Sequence, residues 1–150
     1  MLRRNVILAG LLLVLASNLP AVARAADPDI EKLQGTWTVT ALEAEGVKIP
    51  AETIKTVNLQ IVFSKDKIIH KQNGKAEDEA TYHIDSTVTP KQLDTTAKNG
   101  TVEAGIYKIE GDELTICTAV KAGAKRPTDF VVKADSGHML VTLKREKAAE

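Results

Sequence analysis

The sequence predicts an all-β domain, an antiparallel barrel or sandwich entered through one short helix. Three observations carry this expectation. About nine β-prone runs follow one another, each ended by a turn signal at short spacing. Several of those turns are Asn-Gly or Gly-Asp pairs set between alternating apolar runs, a strong hairpin signal. No stretch keeps a helical period long enough for the crossover that a parallel βαβ unit needs.

The elements follow in order. "DPDIEKLQG" offers Asp27 as a cap, Pro28 in a first turn and Gly35 as a stop, which predicts a short lead-in helix. "TWTVTALEA" is a strand with Trp37, Val39 and Ala41 on one face and threonines on the other. "VKIPAETIK" carries one helical turn after Pro50, and "TVNLQIVFS" alternates through Val57, Leu59, Ile61 and Phe63. Hairpins are expected at Asn73-Gly74, at Asn99-Gly100 and at Gly111-Asp112, and two last strands around Ser136-Gly137, the first of them through Phe130. The charged tail "KREKAAE" is expected to fray.

Two hairpins can be read residue by residue. A two-residue turn at Gly111-Asp112 sets residue 109 opposite 114 and 107 opposite 116, so Tyr107, Ile109, Leu114 and Ile116 share the interior face. The opposite face then pairs Ile106 with Cys117, an apolar patch that needs a cover, for which the lead-in helix is the candidate. At Asn73-Gly74 a strict two-residue register would put Lys67 and Lys71 on the face of Tyr82 and Ile84. A longer loop or a bulge is therefore expected there.

The N-terminus reads as a secretory signal peptide over residues 1–25. Arg3 and Arg4 precede an apolar run from Val6 to Ala16, and Ala23-Arg24-Ala25 forms an A-x-A cleavage site. The run falls short of the roughly 20 residues a membrane span needs, so no transmembrane segment is expected after cleavage. Residues 26–150 then form a single domain, able to remove roughly two-thirds of its unfolded surface from water. The whole chain holds 20 basic and 20 acidic residues. Losing Arg3, Arg4 and Arg24 leaves 17 against 20, a mildly acidic surface with no footprint for nucleic acid. Cys117 is the sole cysteine, so an oxidising compartment offers it no intramolecular disulfide. In "LTICTA" it reads as a small packed hydrophobe, the alternatives being a reactive thiol or a disulfide-linked dimer.

A short helix running into Gly35-x-Trp37 on the first strand resembles the lipocalin signature. The resemblance implies that Trp37 closes one end of a barrel while a basic side chain from the chain's end, Lys144 or Arg145, packs across it. Such a contact is worth about 1 kcal/mol. "LQGTWTVTALEAEGVKIP", "PKQLD", "GIYKIEGDELTIC", "RPTDF" and "LKRE" are similar, in order and spacing, to an uncharacterised secreted lipocalin-like domain family of planctomycete bacteria. That resemblance spans essentially the whole exported chain. It implies a lipocalin-like barrel of eight to nine strands and export to the periplasm or beyond, and it implies no activity, since the family has no established one.

Chemistry-bearing motifs are absent. His70, His83 and His138 are spaced unlike metal ligands, and no G-x-S-x-G, Cys/His pair or phosphate loop occurs, so neither cofactor nor metal is implied. Glu77-Asp78-Glu79 reads as a solvated strand edge rather than a calcium site. Two functions lead, with an enzyme or enzyme inhibitor third for want of a motif. The first is binding of a small, mainly apolar ligand in a barrel lined by Leu59, Ile61, Tyr82, Tyr107, Ile116, Phe130 and Leu140, with Arg126 of "AGAKRPTDF" at the rim to meet a carboxylate. The second is an envelope interaction module whose barrel is filled by its own side chains and whose surface docks another protein.

Overall fold

The computed structural model describes residues 26–147. The expected signal peptide and the last three residues of the tail lie outside that range. The first helix, α1 (Pro28–Leu33), starts where Asp27 accepts the Asp29 backbone N–H at 3.0 Å, with Pro28 in the first turn. β1 (Gly35–Ala44) and the two-residue β2 (Val47–Lys48) follow, then α2 (Ala51–Val57), β3 (Leu59–Ser64), β4 (Lys67–Gln72), β5 (Lys75–Asp85), β6 (Gln92–Ala97), β7 (Val102–Glu110), β8 (Glu113–Ala119) and β9 (His138–Arg145).

Every neighbouring pair is antiparallel, and β1 pairs with both β3 and β9, so eight strands close into a barrel with β2 as an extension of β1. Closure removes the exposed edges that an open sheet would carry. Alternation sends Trp37, Phe63, Ile84, Leu93, Tyr107, Leu114 and Leu143 inward, all buried in one core. Each such side chain stabilises the fold by about 1.5–3 kcal/mol. β1 leaves β3 after Thr38 and meets β2 only from Glu43, and α2 packs against it with Ile54 buried in that same core.

The register confirms some expectations and corrects others. Tyr107 faces Ile116 and Ile109 faces Leu114, as the two-residue turn requires. At Asn73-Gly74 the turn is also two residues, both at positive φ, 50° and 77°. The expected bulge does occur, between His70 and Lys71. It sets Ile68 opposite Ala80 in the core while Lys67 reaches Glu79 at 3.0 Å outside. A second bulge, between Val39 and Ala41, was not foreseen: Ala41 is exposed, and Leu42, opposite Val141, packs on the core instead. Val57 ends α2 rather than beginning a strand, because Asn58 turns the chain left-handed at φ 41°.

The larger correction concerns residues 120–137. No strand runs through Phe130, and β8 passes to β9 by a long strap across the outside of the barrel. Phe130 and Val132 cover Ile106, Cys117 and Leu140 in a second apolar cluster. The strap therefore supplies the cover expected from the lead-in helix. Arg126 fastens it, donating to both Asp94 carboxylate oxygens, one at 2.9 Å, and to the Gly105 carbonyl at 2.7 Å. A strand here would keep Phe130 and Val132 on one face but within the barrel wall, not across the patch. The apolar patch on β7 and β8 wins because leaving it wet forfeits more than a backbone ladder that water can replace.

Candidate functional site

The barrel has two unlike ends. At one, α1 lies across the opening and its polar groups are saturated. Trp37 is fully buried, and its indole N–H donates to the Leu33 carbonyl at 2.8 Å. Of the two basic candidates Arg145 is the partner, its guanidinium 4.1 Å from the indole centre while donating to the Gln34 carbonyl at 2.9 Å and to that of Lys32. Asp29 is buried beneath this lid and accepts from Lys91, from Lys32 at 3.0 Å and from the Tyr107 hydroxyl at 3.0 Å. Burial pushes its carboxyl up, but the bonds from Lys91, Lys32 and Tyr107 outweigh that and hold it below the ordinary carboxylate value. Burial and the same carboxylate push the Tyr107 hydroxyl far above the usual phenol range. Nearby, Gln34 donates to the Tyr82 hydroxyl at 2.9 Å, and that hydroxyl donates to the Lys65 carbonyl at 2.8 Å.

At the other end the lining is unfinished. A cavity of about 50 Å³ opens there between Ile61, Ile68, Leu93, Ile116, Val141 and Met139, with Thr95, Thr118, Glu103 and His70 among the apolar walls. A water molecule's share of liquid volume is about 30 Å³, so the space suits one or two waters or a fragment of that size. Drug-sized ligands occupy roughly 300–1,000 Å³. The interior is thus filled by its own side chains except at this mouth. Gly105 marks how tightly: a Cβ there would lie 2.8 Å from the Thr118 methyl and 2.9 Å from the carbonyls of Cys117 and Leu93.

The residues expected to line a cavity divide three ways. Ile61 and Ile116 do line the mouth. Leu59, Tyr82 and Tyr107 point inward but are taken up in core packing and in the polar network under α1. Phe130 and Leu140 lie in the outer cluster, and Arg126 holds the strap rather than a rim, because the alternation that points Leu93 and Thr95 inward turns Asp94 out to meet it. Thr95, Glu103 and Thr118 were missed. Counting back by twos from inward Tyr107 through Gly105 reaches Glu103, so that residue was legible in the strand pattern.

Larger depressions on the outside carry less. One of about 440 Å³ lies beside Asp27, Ile30 and His83, and one of about 380 Å³ beside Pro90, Lys91, Lys108 and Phe130. Their charges are already spent: Asp27 accepts from Asp29 and Ser86, Lys91 holds Asp29, and Lys108 pairs with Glu110 at 2.8 Å. Among the described residues no cluster of three or more His, Cys, Asp or Glu could hold a metal ion, and no helix is long and apolar enough to cross a membrane. Cys117 is buried and free, its thiol pushed up to about 11 by burial and by Asp129. No family model matches the chain, and no curated protein matches it.

Proposed function

We propose that this chain is an exported, lipocalin-like binding domain that works at the mouth of a nearly filled barrel, taking one end of a small molecule rather than enclosing a cargo. The observation that carries this reading is the cavity of about 50 Å³ at one end, with polar side chains set into apolar walls. Export rests on the sequence of residues 1–25. Membership of the planctomycete-type secreted family rests on the five ordered motifs and belongs to the same proposal.

A second reading is an envelope interaction module with no small ligand. It is favoured by the small interior void together with exposed Val131 and Val120 on the strap, 57% and 40% accessible. Native mass spectrometry of the exported chain, purified gently from its host envelope, separates the two. A bound mass of small-molecule size that is lost on denaturation supports the mouth as a binding site. A bare chain that co-purifies with one protein in fixed ratio overturns it in favour of the module.

A further inference from the structure

We infer that the mouth takes a short primary ammonium compound, its alkyl end on the apolar floor and its charged end beside Glu103; this rests on the mouth being the binding site. Two outward carboxylates, one on β5 and one on β7 itself, have partners. Glu79 holds Lys67 at 3.0 Å, and Glu110 holds Lys108. Glu103 instead belongs to the inward set of β7, directly opposite Thr95 on β6, is half-buried, and has no hydrogen bond or ion pair among the described residues. Its own register neighbours add no cation: no lysine or arginine lines the cavity, and the one imidazole there, His70, makes no hydrogen bond or ion pair with Glu103. An inward carboxylate against apolar walls has lost part of its water without gaining a counter-charge, so a cation offered there is held by a charge-assisted bond.

The rest of the lining narrows the class. Thr95 and Thr118 are 9% and 7% accessible, and neither hydroxyl has a side-chain partner, which leaves both free to accept from an ammonium N–H. An anion meets Glu103 with no lysine or arginine to offset it, and a neutral alcohol forgoes the charge. The floor of Ile61, Leu93 and Ile116 favours an alkyl tail, and the volume limits it to about two methyl-sized groups. Ethylammonium fits, and a ligand of so few atoms binds no tighter than about millimolar.

The test is a ¹⁵N chemical-shift titration of residues 26–150 with methyl-, ethyl- and n-butylammonium chloride, with sodium chloride, sodium acetate and ethanol as controls. Saturable shifts at Leu93, Thr95, Glu103 and Thr118 are expected for the ammonium salts alone. Affinity should rise about fourfold from methyl to ethyl, one more buried methylene, and then level off. Glu103→Gln should weaken ethylammonium at least tenfold, whereas Glu77→Gln, an exposed acid on β5, should leave it unchanged. No saturable shift, equal binding of ethanol, or full affinity in Glu103→Gln overturns the inference. If native mass spectrometry nevertheless finds a small molecule whose shifts map to the mouth, the site stands and only its chemistry was misassigned.

Discussion

At the end closed by α1, one buried carboxylate collects three donors, and Trp37 has a hydrogen bond on its edge and a guanidinium on its face. At the mouth, Thr95, Thr118 and Glu103 stand in the same barrel with no such partners. The contrast matters because an unpartnered polar group inside a protein costs stability unless water or a ligand reaches it. The closed end spends its polar groups on holding α1. The mouth leaves its own without protein partners, and that is why the proposed site is placed there.

The comparison breaks most sharply at Trp37. Trp37→Ala should destabilise the domain by about 4 kcal/mol, since it empties a fully buried site and strands Arg145, a change read from urea midpoints of residues 26–150. Between the two ends, Gly105→Ala should cost about 2–3 kcal/mol in the same assay, because two of the three atoms its Cβ meets are backbone carbonyl oxygens that cannot move aside.

Tyr107→Phe should cost about 1–2 kcal/mol by removing one donor from Asp29. Asp29 also gives the closed end an acid sensitivity. Its folded pKa lies below the ordinary value of 3.8, so its stabilisation is complete above that value and is lost as pH falls through the folded pKa. Asp27 and Glu146 are shifted the same way, so Asp29→Asn should flatten the acid limb of a stability-against-pH curve only in part. An unchanged limb would remove Asp29 from the account.

On the outside of the barrel, Cys117 predicts the opposite limb. A thiol raised from 9.0 to about 11 stabilises the fold fully below pH 9 and loses that contribution as pH climbs to about 11. Cys117→Ala should reduce the alkaline slope, and Arg126→Gln, by loosening the strap, should raise the rate at which a thiol reagent labels Cys117 about tenfold or more. Smallest of all, Glu103→Gln, Thr95→Val and Thr118→Val should each change stability by no more than about 0.5 kcal/mol, because none loses a protein partner. A large loss at any of the three would mean that the mouth is built for stability, like the other end.

Much of this architecture was legible locally. Asp27-Pro28 begins α1, the glycine turns set the hairpins, and counting from Gly111-Asp112 oriented four core residues correctly. The β4–β5 bulge was legible too, since the alternative put lysines inside. Phe130 misled because a β-prone run bounded by turn residues looks the same whether it joins a ladder or lies across one. Leu140 misled for a related reason: β9 is apolar on both faces, one against the core and one against the strap.

The sequence by itself determined the all-β class, the short helix into Gly35-x-Trp37, the turn positions and most inward residues, because these follow from caps, turn chemistry and a period of two acting over a few residues. Only the tertiary structure decided that β1 meets β9, that Arg145 rather than Lys144 covers the indole, that the strap and not α1 shields Cys117, and that Asp29 joins Lys91 and Tyr107. Those contacts join residues far apart in the chain. Their energies come from burial and charge pairing in a closed barrel, which no local pattern encodes.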